Sequence, residues 1–430
     1  ITMNNEDNDI TLSKNKDITL MPGISIKTAD SDDDALRYYL YKEITEPGTY
    51  EIRGNVATDT FTWTADNFAG FYYDIDDDIK TEELTATISE GNKLLEPDGV
   101  TYTSTAQANE FEFEEWGTYN VIGFFADKYF AGYIDDPNVE ENVLFDESED
   151  ENVLADEQLL KILMDNDDER TVTSGTPLAM EEGYELSIQS IDIDGNKVYL
   201  ELSKDGAVVD SKVISPSKDG ATMKDKTYYY KKDIGDSKDV VIVAAHLKNA
   251  FRGADQNLAT VDGLWQLSDT PQDVSENTEY DKMTIQTVTA NTITMNNEDN
   301  DITLSKNKDI SLMPGVSIKT ADADELRYYI YKEATIEGEE EVAEEEPAVV
   351  APVNATEKTV EEAKEAVEEA NKTVEEAKEV AEEAKEEVAE AETKAEEAAE
   401  ATANQTPGFG SIFALTGLLA VAYLVLSRRD

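Results

Sequence analysis

A chain of 430 residues with 40% apolar content is long enough for two or three cored domains plus appendages. Its 96 acidic residues against 36 basic ones give a net charge of −60, which repels nucleic acid and anionic lipid headgroups and attracts cations. With no cysteine, stability has to come from packing, bound cations or assembly, and thiol catalysis is excluded.

A charge this large repels itself unless salt shortens the Debye length to a few ångströms, which suits a saline habitat. The chain opens on a duplication. Ile1 to Ile18, ITMNNEDNDITLSKNKDI, recurs unchanged at Ile293 to Ile310. The match continues through LMPGISIKTAD and LMPGVSIKTAD to LRYYLYKE (Leu36–Glu43) and LRYYIYKE (Leu326–Glu333). Two residues are lost between Asp30 and Leu36 in the second copy. Duplicated ends around an unduplicated middle suggest a repeat out of phase. Residues 1–46 then read as the tail of a preceding repeat, and 47–335 as one complete unit. The alternative is that 1–46 pairs with its copy as a closing β-element.

The body reads as all-β. Phe61–Thr64, Phe71–Ile75, Leu84–Ile88, Val100–Thr103, Glu110–Trp116 and Tyr119–Phe125 are short alternating or aromatic runs. Glu185–Ile193, Lys197–Ser203 and Ala207–Ile214 form a meander with turns at Asp194-Gly195-Asn196 and Lys204-Asp205-Gly206. Tyr228–Lys231, Val240–Ala245, Leu264–Leu267 and Met283–Val288 continue the pattern, and Gln158–Met164 fits a strand or two helical turns. Short strands at this spacing point to sandwiches rather than α/β layers.

Several of these segments also carry a family resemblance. FTWTADNFAGFYYDIDDD (Phe61–Asp78), LLKILMDNDDERTV (Leu159–Val172) and LAMEEGYELSIQSIDIDGNKVYLELSKDGAVVDS (Leu178–Ser211) resemble the S-layer family duplication domain of methanogenic archaea. So do TYYYKKDIGD (Thr227–Asp236), VDGLWQLSD (Val261–Asp269) and LMPGVSIKTADADELRYYIY (Leu312–Tyr331), in the same order. The resemblance implies two β-sandwich subdomains, 47–155 with 275–335 and 156–274, that self-associate into a two-dimensional lattice on the cell surface. Members of the family often carry two such units.

From Glu337 the composition changes. An acidic, proline-containing linker (336–354) ends in PAVVAPV, Pro347–Val353. A Glu/Ala/Lys helical stalk follows over 355–404. Val360, Val367, Val374, Ala381, Val388 and Ala395 share one heptad position, with alanine three residues after each. A coiled coil and a lone charged helix both fit, and the rod would be roughly 70 Å long. The Asn-x-Thr sequons at Asn354, Asn371 and Asn404 all fall in this exposed stretch, so they are the expected glycosylation sites.

Aspartate clusters recur at Asp30–Asp34, Asp74–Asp78 and Asp165–Glu169. Dense carboxylates suit Ca²⁺ or another hard divalent cation, although solvated acidic loops account for them as well. Asp74, Asp76 and Asp78 are the expected metal ligands, because alternation along an extended strand aims all three to one side. No cofactor is otherwise implied. Catalysis has little to work with. His246 is the one histidine and adjoins an apolar strand, Ser215-Pro-Ser-Lys218 has no partner motif, and Trp63, Trp116 and Trp265 read as core anchors.

The chain ends in PGFGSIFALTGLLAVAYLVLSRRD, Pro407–Asp430. Ser411–Leu426 is uncharged and, as a helix, spans about 24 Å. Arg428 and Arg429 follow, so the positive-inside rule sets that end in the cytoplasm and the rest outside the cell. Pro407, Gly408 and Phe409, then an apolar helix, then two arginines, resemble the PGF-type sorting signal of archaeal surface proteins. The resemblance implies removal of the helix by an archaeosortase and lipid attachment at the new C-terminus, anchoring the chain to the cell membrane. An exported chain with no signal peptide ahead of Ile1 is expected to be a mature form or a fragment. These readings together expect a membrane-anchored surface-layer subunit, a negatively charged molecular sieve rather than an enzyme. A surface adhesin that forms no lattice is the alternative.

Overall fold

The computed structural model describes residues 9–31, 36–192, 197–252 and 257–337, and these are β-structure with a few short helical turns. Alternation of apolar and polar residues produces the strands, and glycine or aspartate ends them. At Asp205-Gly206 both residues have positive φ, 51° and 79°, which matches the right-handed twist of the flanking strands Val198–Lys204 and Ala207–Ile214. These two strands join Tyr184–Ile191 and Leu178–Ala179 in a four-stranded antiparallel sheet, so the expected meander is present. Its other turn, Asp194-Gly195-Asn196, lies outside the described residues.

Nine strands make the largest sheet. Seven run in the path Thr227–Ile234, Ser237–Arg252, Asn257–Leu267, Gln158–Asn166, Asp127–Tyr133, Thr118–Phe124 and Gln107–Glu110, while Arg170–Thr173 pairs with Asn257–Leu267 and Gln272–Asp273 with Gln158–Asn166 off that path. Six strands make the next, from Glu279–Tyr280 through Met283–Thr289, Thr292–Asn296, Val100–Thr105 and Glu82–Ala86 to Phe61–Thr64. A four-stranded sheet closes the body. In it Tyr328–Ile336 pairs with Gly48–Arg53, with Tyr331 opposite Arg53 and Ile336 opposite Gly48.

The buried side chains form two cores. One centres on Trp265, whose ring meets Phe111 and Tyr119 at 4.9 Å each and whose indole N–H donates to the Tyr133 hydroxyl at 2.8 Å. The other centres on Trp63, edge-on to Tyr328 at 5.7 Å, with its N–H given to the Asn55 carbonyl. Successive strand residues point to opposite faces, and the shared strands use that to serve both cores. Val121 enters the first core and Ile122 the second; Leu160 enters the first and Leu159 the second. This settles Gln158–Asn166 as a strand.

Two expected strands are absent. Within Glu110–Trp116 the ladder stops at Glu110 and a 3₁₀ turn spans Glu114–Trp116, because two consecutive glutamates break the alternation. Among the described residues Phe71–Ile75 pairs with no neighbouring strand; the Tyr72 amide donates instead to the buried Glu82 carboxylate at 2.8 Å.

Candidate assembly surfaces

The duplicated sequence builds the same object twice. Asp17–Met21, Ile24–Thr28 and Tyr38–Tyr41 form a three-stranded sheet, and Asp309–Met313, Val316–Thr320 and Tyr328–Ile336 repeat it strand for strand. The registers match: Asp17 faces Lys27 as Asp309 faces Lys319, and Ser25 faces Tyr41 as Ser317 faces Tyr331. Pro-Gly turns join the first two strands in both copies, with Gly23 and Gly315 at φ +75° and +73°, a conformation other residues adopt only at a cost.

Burial separates the copies. Leu312, Met313, Tyr328 and Ile330 are all 0% exposed, sealed onto the Trp63 core. Their counterparts Leu20, Met21, Tyr38 and Leu40 are 36%, 36%, 54% and 62% exposed. The second copy gains Gly48–Arg53 as a fourth strand, whereas Tyr38–Tyr41 pairs, among the described residues, only with Ile24–Thr28. The first copy thus presents an apolar face and an open strand edge together, the two features that mark a surface made to be covered.

The aspartates expected to bind metal sit elsewhere than an extended strand would put them. Asp74 and Ile79 exchange backbone hydrogen bonds at 3.0 Å each, closing a turn over the residues between, with Asp78 at φ +54°. The turn splits the three carboxylates among separate partners. Asp74 accepts from the Tyr72 hydroxyl and the Asp76 amide, Asp76 accepts from the Asp30 amide at 2.7 Å, and Asp78 faces Lys80 at 3.3 Å. Among the described residues no group of three or more acidic or histidine side chains is arranged to hold a metal ion. What the turn does hold is Arg37, whose Nε donates to the Ile75 carbonyl at 2.8 Å and Nη2 to the Asp76 carbonyl at 2.7 Å. The first copy is therefore clamped to the body through Arg37 and the Asp30 amide. Sequence reading passed over Arg37; the signal available was its recurrence, as Arg327, in the LRYY repeat.

Several other ionisable groups are knitted into the fold. Glu82 is 2% exposed and accepts from the Tyr72 amide, the Ala126 amide and the Tyr102 hydroxyl, and burial raises its pKa. Asp269 joins Lys204, Lys232 and Tyr184. Burial alone would raise its pKa, but the two ammonium groups hold it well below the usual carboxylate range. His246 stacks on Phe113 at 4.5 Å with Nδ1 2.5 Å from Asp262, and burial lowers its pKa despite that carboxylate. The Lys218 ammonium is bonded to Asp225 at 3.1 Å. All three tryptophans are core residues.

Asn354, Asn371, Asn404, Pro407, Gly408, Phe409, Arg428 and Arg429 lie outside the described residues, as do the stalk and the apolar C-terminal stretch. Among the described residues no helix is long and apolar enough to cross a membrane.

The S-layer protein family matches residues 53–322, and the PGF-CTERM motif matches residues 406–428. Three archaeal relatives, each called Major S-layer protein, align over the whole chain: 39% identical in Methanosarcina mazei, 38% in Methanosarcina acetivorans and 33% in Methanosarcina barkeri. The chain spans 60% of the length of each. With its body matched almost from end to end and a PGF-CTERM motif behind it, the chain belongs to the S-layer protein family.

Proposed function

We propose that this chain is a structural subunit of an archaeal surface layer, anchored to the cell membrane at its C-terminus with its bulk outside the cell. The observation that carries the reading is similarity along the whole chain to proteins named Major S-layer protein. Residues 47–335 are the complete unit, built as two β-sandwich subdomains, 47–155 with 275–335 and 156–274. The linker at 336–354 and the stalk at 355–404 space it from the bilayer, with glycans on Asn354, Asn371 and Asn404. Pro407-Gly408-Phe409 directs an archaeosortase to replace the apolar helix with a lipid. No catalytic step belongs to this function.

Residues 1–46 close a second unit of the same kind, whose core covers Leu20, Met21, Tyr38 and Leu40. The exposure of these four side chains supports that, and so does the greater length of the relatives, which exceeds this chain by roughly one further body. Electron microscopy of the purified protein with divalent cations tests the lattice: ordered arrays are expected, and dispersed monomers would favour an adhesin. Mass spectrometry of the protein recovered from cells tests the anchor, which intact Arg428 and Arg429 would refute.

A further inference from the structure

In the first copy of the duplicated sheet, Arg37 and the Asp30 amide together grip the Asp74–Ile79 turn. The second copy carries the same groups as Arg327 and Asp322. There the space beside them is a cleft of about 260 Å³, with Ser305, Lys306, Thr320, Ala321, Leu326 and Arg327 in its wall. Ala29, next to the gripped turn, is 5% exposed, while its counterpart Ala321 is half-buried at the cleft. Arg327 is exposed, and among the described residues its guanidinium has no hydrogen bond or ion pair.

We infer that the Arg327 cleft is an intersubunit socket that receives an aspartate-rich turn of the Asp74–Ile79 kind from a second copy of this protein. The same sequence already holds such a turn within the chain. A guanidinium suits the task because its fork reaches two carbonyl oxygens at once. The count of partners indicates the direction of assembly. This step rests on the second unit proposed above, which brings a second turn. Arg37 and its own turn satisfy each other, which leaves one arginine at one end of the subunit and one turn at the other. A contact between unlike surfaces propagates from subunit to subunit instead of stopping at a dimer.

Charge reversal tests this in the full subunit, with the threshold concentration for array formation as the readout. Arg327→Glu should raise that threshold about tenfold or more, equivalent to roughly 1.4 kcal/mol per contact. Arg327→Lys, which keeps the charge and loses the fork, should raise it by less. Arg252→Glu, a reversal at another exposed arginine, should leave it unchanged. Melting temperatures matching wild type would show that all three variants fold. Arg327→Glu forming arrays at the wild-type threshold would overturn the socket while leaving the surface-layer reading intact. A wild-type subunit that forms no arrays under any condition would overturn that reading and the socket with it.

Discussion

Asp165 accepts hydrogen bonds from the Tyr119 hydroxyl at 3.0 Å and the Glu112 amide at 3.2 Å, and burial pushes its pKa up to about 6. Folded protein therefore holds this proton more tightly than unfolded chain does. The stability it contributes is present below about pH 4 and is lost as pH rises through about 6. Asp165→Asn should flatten that slope, gaining up to about 3 kcal/mol at pH 7 and almost nothing at pH 3.5. Urea unfolding at the two pH values measures it, and parallel pH profiles for mutant and wild type would refute it. Asp269 has the opposite sign. Its depressed pKa contributes stability above the usual aspartate range that is lost as pH falls, so Asp269→Asn should lower the melting temperature at pH 7 and converge with wild type in acid.

Among the elements, the duplicated sheet provides an internal control, because one sequence sits in two environments. Ile330→Ala should cost about 2–5 kcal/mol, since it empties a sealed core site. Leu40→Ala, at the matching position on the open face, should cost under about 0.5 kcal/mol in dispersed protein. In the longer protein that carries the preceding unit, the Leu40 variant should become the costly one, because there that unit's core covers its face. Equal losses in dispersed protein would mean that the two sheets are covered alike. The same elements show what sequence could disclose. The meander around Asp205-Gly206 was legible because alternation and turn chemistry are local. Gln158–Asn166 was ambiguous because its first residues are buried consecutively, Leu159 and Leu160 on two cores contributed by distant segments. Ser237–Arg252 is a strand of 16 residues, of which only the apolar middle, Val240–Ala245, stood out. Phe71–Ile75 looked like a strand because nothing local reveals that Glu82 takes the Tyr72 amide. The aspartate trio was read as aiming to one side for a related reason. Its geometry depends on a turn held from outside by Arg37, and that arginine lies on another element far away in sequence.

At the level of the whole molecule, a net charge of −60 is expected to make a layer of these units selective by charge. Gaps between acidic subunits should retard anions relative to cations of the same size at low salt, and the difference should vanish as ionic strength rises. Flux of matched dyes through reconstituted layers measures this, and equal permeation at low salt would contradict it. The central claim is that the body forms a lattice above the membrane. Electron cryotomography of the envelope of cells carrying this protein, with averaging of the outermost layer, tests it most directly. The account predicts a periodic layer whose repeating density accommodates residues 47–335 and stands off the bilayer by the length of the linker and stalk. A bare membrane, or this protein scattered over it without periodicity, would contradict it.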